Sequence, residues 1–213
     1  MTTATDWAGE TEQQVLDEAV RLVPSMGWSR LTVLRAAAAR GLSAPEADLL
    51  LPHGARDLAA LLSRRHDTRA MAALALQDAS KLKIRERIRT GVVARLDAAR
   101  TDEAAVRRWA GFLSLPTNLP LALRLVWESA DAIWRWAGDT ATDENHYSKR
   151  AILSGILITC LALDLSSGRE AALAHLDRSI DNVMAFEKWK AGIKPSETAR
   201  EVASALSKLR YGG

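Results

Sequence analysis

Apolar residues recur every three or four positions over most of this chain, which is the spacing of one face of an α-helix. The first such pattern contains Val15, Leu16, Ala19 and Val23, and it stops at Pro24. Further patterns cover residues 31–38, 43–51, 54–77, 80–100, 103–113, 121–137, 144–165, 169–190 and a last stretch after 196. No stretch is convincing as a strand, so the sequence predicts an all-α fold.

The first three predicted helices are short and joined by a glycine-containing turn, as in a helix-turn-helix unit. Ser43 and Glu46 have the spacing of a capping box at the start of the third helix. The chain resembles the TetR family of dimeric transcription regulators at the junction into the fourth helix. That junction consists of His53, Gly54, Ala55, Arg56, Asp57 and Leu58. The resemblance implies a TetR-like helical fold.

DNA recognition does not fit the third helix. A recognition helix presents Arg, Lys, Asn or Gln to the major groove. Residues 43–51 contain none of these and carry Glu46 and Asp48, which phosphates would repel. We therefore expect no nucleic-acid partner, and a TetR-type ligand-responsive repressor is the alternative hypothesis.

Composition favours one soluble domain, with or without a small appendage. Of 213 residues, 48% are apolar and 26% charged, and the formal net charge is only +3. The lone cysteine, Cys160, is expected to be a small buried hydrophobe in a reducing compartment. The first residues lack the features of a signal or transit peptide, and the apolar run 151–165 is shorter than the roughly 20 residues of a membrane span. These features predict a cytoplasmic protein.

The segment 80–100 is the main cationic stretch. Its basic residues are Lys81, Lys83, Arg85, Arg87, Arg89, Arg95 and Arg100. They form either a solvated helix face, whose aliphatic stems cover apolar neighbours, or a contact surface for anionic lipid or an acidic partner.

No pattern indicates catalysis. Asp143 and His146 are three residues apart and could begin a metal site, but no second such pair accompanies them. Asp143 is instead expected near the N-cap of the next helix. Nucleophile elbow, phosphate loop and dinucleotide fingerprint are all missing from the sequence. We expect no catalytic residue, metal or cofactor, with a metal-dependent enzyme as a further alternative.

A polar motif separates the two most apolar helix patterns. It follows "LSLPTNLP" and consists of Asp131, Trp134, Ala137, Gly138, Asp139, Thr142, Asp143, Asn145, Tyr147 and Arg150. In this order the motif resembles the signature of the ninth coenzyme-Q biosynthesis protein family. The similarity extends from residue 23 through the C-terminal segment.

The resemblance implies a TetR-like fold that has lost DNA recognition and forms a homodimer. It further implies an apolar cavity for a phospholipid or isoprenoid quinone. The protein would assist ubiquinone biosynthesis by presenting the lipid to the demethoxyubiquinone hydroxylase. On this basis we expect a peripheral protein at the inner face of the bacterial cell membrane.

The resemblance also implies three sets of site residues. The set for docking to the hydroxylase is Asp143, Asn145, His146, Tyr147 and Arg150, with His146 where many family members have tryptophan. For Asp131, Trp134, Gly138 and Asp139, the residues themselves favour a structural role in holding the helix corner, with docking as the alternative. The set for lipid binding is Leu113, Leu115, Leu125, Trp127, Ile133, Trp134, Ile152, Ile156 and Cys160, any of which is alternatively ordinary core. The set for membrane binding is Val202, Leu206, Lys208, Leu209 and Arg210.

The membrane-binding set lies on an amphipathic last helix, which alternatively packs on the domain or on a second subunit. The predicted organisation is a flexible N-terminus at 1–9, a helix-turn-helix-like subdomain at 10–53, a helical lipid-binding domain at 54–191, and a linker with amphipathic helix at 192–213.

Overall fold

The computed structural model of the chain describes residues 4–140 and 144–192, with side chains over 7–140 and 146–185. Within these residues the chain is helical and contains no strand, which confirms the all-α prediction. The α-helices are α1 Ala4–Met26, α2 Arg30–Ala39, α3 Ala44–Leu50, α4 Ala55–Ala75, α5 Ile84–Arg100, α6 Glu103–Leu113, α7 Leu119–Trp136, α8 Glu144–Ser166 and α9 Arg169–Gly192. This order agrees with a TetR-like fold, whose finer detail stays a prediction.

The chain divides into two compact units, one ending at Leu176 and one beginning at Asp177. In the first unit, α1 packs on α2 and α6, and α4 packs on α5 and α7. The predicted subdomain boundaries stay a prediction. Helix α1 begins at Ala4, inside the stretch 1–9 that was expected to be flexible. Ala4 and Ala8 there favour a helix, although the stretch carries no apolar stripe.

Two helix starts are decided by side chains near them in sequence. The Ser43 Oγ accepts from the Glu46 backbone N–H, and the Glu46 carboxylate accepts from the Ser43 backbone N–H at 2.8 Å, so the predicted capping box is confirmed. Helix α5 begins at Ile84 rather than near residue 80, because Glu86 Oε2 accepts from the Lys83 backbone N–H at 2.7 Å. The residues before it form a separate 3₁₀ turn at Ala79–Lys81.

Helices α5 and α7 approach closely at one glycine. A Cβ added at Gly91 would lie 2.5 Å from Cγ2 of Ile133, which is far inside van der Waals contact. Ile133 itself is 1% exposed. This contact fixes the spacing of two helices that both contribute to the cavity described below.

The buried imidazole of His66 lies between α4 and the α5–α6 turn. Its Nε2 is 2.9 Å from Oδ2 of Asp102, which also accepts from Arg69 Nη1 at 2.9 Å. Burial holds the pKa of His66 below its usual range and outweighs the opposing hydrogen bond with Asp102. The hydrogen bond from His66 in turn holds the pKa of Asp102 below its usual range, despite burial. The folded state therefore favours neutral histidine beside a carboxylate.

Acidification is expected to destabilise the protein through His66. Because the pKa of His66 is lower in the folded state than in the unfolded chain, the unfolded chain binds more protons below about pH 6.5. The free energy of unfolding should fall as pH decreases from 7 through this window, by at most about 1.4 kcal/mol per pH unit for one proton. Urea denaturation at several pH values measures this slope.

The matched variant is His66→Gln, whose amide can still donate to Asp102 but does not titrate in this range. Its free energy of unfolding should change less between pH 7 and 5.5 than that of the unsubstituted protein. Equal slopes for the two proteins would show that other groups cause the pH dependence.

Candidate functional site

An apolar cavity of about 380 Å³ lies among helices α4 to α8. Its wall includes Leu96 from α5, Trp109 and Leu113 from α6, Val126 from α7 and Leu161 from α8. The Trp109 indole N–H donates to the Ala59 backbone oxygen at 2.9 Å, so its one polar atom is already hydrogen-bonded. A largely apolar cavity of this volume suits the hydrocarbon part of a ligand.

The mouth of the cavity is apolar as well. Leu119, Leu123 and Ile158 line the cavity and yet are 49%, 54% and 50% exposed. Leu115, just before α7, is also 50% exposed. A group of large exposed apolar side chains is typical of a contact site for lipid or protein. The mouth therefore offers an apolar route between the cavity and the surface.

A small polar end interrupts the apolar wall. It consists of Ser63 on α4, Arg95 on α5 and Ser129 on α7. Asp67 Oδ1 accepts from Arg95 Nε at 2.6 Å and from Ser129 Oγ at 2.7 Å. Arg95 was expected on a solvated or partner-binding surface, but it is only 7% exposed. That expectation is wrong for Arg95, because its partner Asp67 holds the guanidinium at the cavity.

The nine residues predicted to bind lipid lie partly on the cavity wall, partly in the core and partly at exposed positions. Leu113 lines the cavity, whereas Leu125, Ile133, Ile156 and Cys160 lie in the core and Leu115 and Ile152 are exposed. Trp127 and Trp134 are half-buried and do not line the cavity. As lipid contacts these residues stay a prediction.

The residues that do form the wall follow two helix stripes. On α7 they are Leu119, Ala122, Leu123, Val126 and Ser129, and on α8 they are Leu157, Ile158, Leu161, Ala162 and Leu165. The spacing of three and four positions marks each stripe as one helix face. This spacing is visible in the sequence. Because most apolar positions of α7 fit one helical stripe or another, however, the spacing alone did not distinguish the cavity wall from the core.

The corner between α7 and α8 is held by buried ion pairs. Arg150 Nε donates to Asp131 Oδ1 at 2.6 Å, and its Nη1 donates to Asp139 Oδ2 at 3.0 Å. Lys149 Nζ donates to the other oxygen of Asp139 at 2.6 Å. Burial alone would raise the pKa of Asp139, but the hydrogen bonds from Lys149 and Arg150 outweigh it and hold that pKa below its usual range.

Backbone contacts complete the corner. Gly138 ends the turn after α7 with φ of +89°, a conformation that favours glycine. Arg87 of α5 donates to the Ala137 backbone oxygen at 2.8 Å, and the Trp134 indole donates to the Lys149 backbone oxygen at 3.0 Å. Together with Asp131 and Asp139, Trp134 and Gly138 have the corner roles expected of them.

Arg150 differs from the prediction that it projects as a docking residue. It is 2% exposed, and both acidic partners and the His146 backbone oxygen surround its guanidinium. The expectation of an accessible Arg150 is wrong, because the motif's own aspartates bind the arginine. The long side chain stabilises the corner from within.

Tyr147 forms an aromatic cluster with the half-buried Trp127 and His146. Its ring is 64% exposed, its centroid is 6.2 Å from that of Trp127 and 5.2 Å from that of His146. Trp127, predicted as a lipid contact, thus lies beside the predicted docking residues. Asp143 falls outside the described residues, and Asn145 falls outside those with described side chains.

The predicted membrane-binding residues Val202, Leu206, Lys208, Leu209 and Arg210 also lie outside the described part of the chain. None of the helices within that part has both the length and the hydropathy that a membrane crossing requires. Among the described residues, no three His, Cys, Asp or Glu side chains form a group suited to a metal ion.

Comparison with known proteins identifies relatives over most of the chain. The family model COQ9 matches residues 119–187, which begin at α7 and include the corner, the aromatic cluster and α8. Ubiquinone biosynthesis protein COQ9-A, mitochondrial, of Xenopus laevis is 30% identical over 207 residues, covering 84% of this chain. The COQ9 proteins of Rattus norvegicus and Homo sapiens are each 29% identical over 98% of this chain.

The chain spans 63% of the length of the Xenopus laevis relative, and 70% and 69% of the rat and human relatives. All three relatives are named as mitochondrial proteins. The prediction of a cytoplasmic protein at the inner face of a bacterial membrane is therefore wrong. Its cytoplasmic part rested on the first residues, the lone cysteine and the short apolar run, and its membrane part rested on the family resemblance.

Proposed function

We propose that this chain, which is similar to COQ9 ubiquinone biosynthesis proteins over most of its length, is a member of the COQ9 family and takes part in ubiquinone biosynthesis as a non-enzymatic lipid-binding protein. Its ligand would be a long-tailed lipid, either a phospholipid or an isoprenoid quinone intermediate. The cavity among α4 to α8 is the observation that carries this proposal.

The cavity supports a lipid ligand in two ways. Its wall removes a hydrocarbon tail from water, and burial contributes roughly 0.8 kcal/mol per CH₂ group. Its mouth exposes Leu119, Leu123 and Ile158, so a tail can enter without crossing a polar rim. At the polar end, Arg95 and Ser129 are both hydrogen-bonded to Asp67.

We also propose that the aromatic cluster of Trp127, His146 and Tyr147 docks the demethoxyubiquinone hydroxylase. Exposed aromatic rings are frequent anchors of protein interfaces. The ion pairs of Arg150 hold this cluster on a fixed corner, so docking requires little ordering of the surface. A homodimer and contact of the C-terminal segment with a membrane remain part of the proposal.

The transcriptional alternative has little to support it. On α3, Glu46 is bound in the capping box, Asp48 pairs with Arg30 at 2.8 Å, and the helix contains no basic residue. We therefore do not propose a repressor.

The first test is to extract the purified protein with organic solvent and identify the extracted lipids by mass spectrometry. A protein of similar size from the same host, purified in parallel, serves as the control. Enrichment of a quinone, an isoprenoid or another long-tailed lipid would support the proposal. An empty extract, repeated with ubiquinone added during gentle purification, would contradict lipid binding.

Replacing Tyr147 with glutamate is expected to weaken capture of the demethoxyubiquinone hydroxylase by about 30-fold, corresponding to a hot-spot loss of about 2 kcal/mol. The substitution removes an exposed aromatic ring and adds a charge where the partner's surface would exclude water. Pull-down with purified hydroxylase across a concentration series measures the change.

The matched control is Ala174→Glu, which adds the same charge at an exposed position of α9. This variant should bind the hydroxylase normally. Equal capture by both variants, with the fold intact by circular dichroism, would remove the aromatic cluster from the proposed interface.

A further inference from the structure

We infer that the polar end of the cavity recognises an uncharged oxygen acceptor on the head group of the bound lipid, with the Ser63 hydroxyl as the donor. This inference rests on the proposed lipid-binding function and specifies the chemistry of the ligand. The polar end comprises Ser63, Arg95 and Ser129, with Asp67 behind them.

The Ser63 hydroxyl has an unused hydrogen. Its Oγ accepts from Arg95 Nη2 at 3.4 Å, and among the described residues it donates to no acceptor. The residue is 1% exposed and lines the cavity. Buried polar groups are ordinarily hydrogen-bonded, so this donor marks a position for a ligand oxygen.

The usual partner of a helical serine is occupied by another donor. A serine inside a helix commonly donates to the carbonyl four residues earlier, which here is that of Ala59. That carbonyl already accepts from the backbone N–H four residues later in α4, and it accepts from the Trp109 indole at 2.9 Å, so both of its lone pairs are used. The Ser63 hydroxyl is thereby left available at the cavity.

Charge balance at the polar end disfavours an anion. The positive charge of Arg95 is paired with Asp67 at 2.6 Å, and Ser129 donates its hydrogen to the same carboxylate oxygen at 2.7 Å. A carboxylate or phosphate entering the cavity would lose its hydration without meeting an unpaired positive charge. A carbonyl or ether oxygen on a long apolar tail loses much less, and it needs only the one hydrogen bond that Ser63 offers.

The geometry therefore specifies a ligand class. One end carries an uncharged carbonyl-type oxygen, as in a quinone ring or an ester, and the remainder is hydrocarbon. A free fatty acid should bind less tightly than its methyl ester.

The experiment compares two probes on delipidated full-length protein. The first is ubiquinone with a two-isoprenoid tail, and the second is an isoprenoid hydrocarbon of similar length without oxygen. Trp109 lines the cavity, so quenching of tryptophan fluorescence, or displacement of a fluorescent lipid, measures both affinities. Palmitic acid and methyl palmitate form a second matched pair.

Ser63→Ala should weaken ubiquinone binding by about five- to tenfold, the range expected for loss of one hydrogen bond, and leave hydrocarbon binding unchanged. Ser63→Cys, a weak donor of similar size, should give an intermediate loss. The control is Ser25→Ala, which should leave both affinities unchanged, since Ser25 does not line the cavity and donates to the Leu22 backbone oxygen at 3.0 Å.

The outcomes separate this inference from the proposed function. Equal weakening of both probes by Ser63→Ala, or preference for palmitic acid over its ester, would overturn the inference while lipid binding stands. If the unsubstituted protein binds none of the four probes, both the proposed lipid-binding function and this inference are contradicted.

Discussion

Replacing Arg150 with methionine is expected to lower the free energy of unfolding by about 3–5 kcal/mol. The substitution retains much of the aliphatic stem but leaves Asp131 and Asp139 without their shared partner. Asp139 is 5% exposed at its side chain and would keep only Lys149 as a partner, so its charge would be buried and only partly paired. Removing one member of a buried ion pair is costly for this reason, even where the intact pair adds little net stability.

Urea denaturation followed by circular dichroism measures the effect. Arg135→Met is the matched control, because Arg135 pairs with the same Asp131 at 2.8 Å but is 73% exposed at its side chain. An exposed pair contributes roughly 1 kcal/mol or less, so this variant should be close to the unsubstituted protein. Similar small losses in both variants would contradict the role of Arg150 as the buried centre of the corner.

Replacing Ala162 with tryptophan is expected to reduce lipid affinity by at least about tenfold. Ala162 lies on the cavity wall at an exposed position of α8, where an indole can be added with little disturbance of the core. The added ring would occupy a large part of the 380 Å³ cavity and compete directly with a lipid tail. Titration with ubiquinone carrying a short tail, together with lipid content after purification, measures the loss.

Ala151→Trp provides the control, since Ala151 is an exposed alanine of the same helix that does not line the cavity. It should retain lipid and have a similar melting temperature. Undiminished binding by the Ala162→Trp protein would show that the lipid occupies some other part of the molecule.

Much of the fold was predictable because its determinants are local. The capping box of Ser43 and Glu46 and the turn at Gly138 that follows α7 depend on residues within a few positions of each other. The similarity to COQ9 proteins, too, was apparent from one short motif around residues 131–150. Such features need no knowledge of which helices pack together.

The site itself was less predictable because it depends on contacts between distant helices. Arginine is a residue type that is frequent in protein interfaces, so the sequence favoured an exposed Arg150. Only the contacts with Asp131 and Asp139 in the folded protein show that Arg150 is buried. Likewise Ser63, Asp67 and Arg95 come together only when α4 packs on α5. Hydrophobic periodicity describes the faces of a single helix and does not say which face meets an empty space.

The ion-paired corner has a thermodynamic consequence. Helices α7 and α8 present one side to the cavity and another to the aromatic cluster, and the corner links the two helices rigidly. Under the proposed function, a lipid tail that altered the spacing of these helices would also alter the aromatic cluster proposed as the docking surface. Linkage is reciprocal: the factor by which a bound tail changes the partner's affinity equals the factor by which a docked partner changes the tail's affinity. Measuring partner affinity with and without lipid, or lipid affinity with and without the partner, would then give the same coupling free energy.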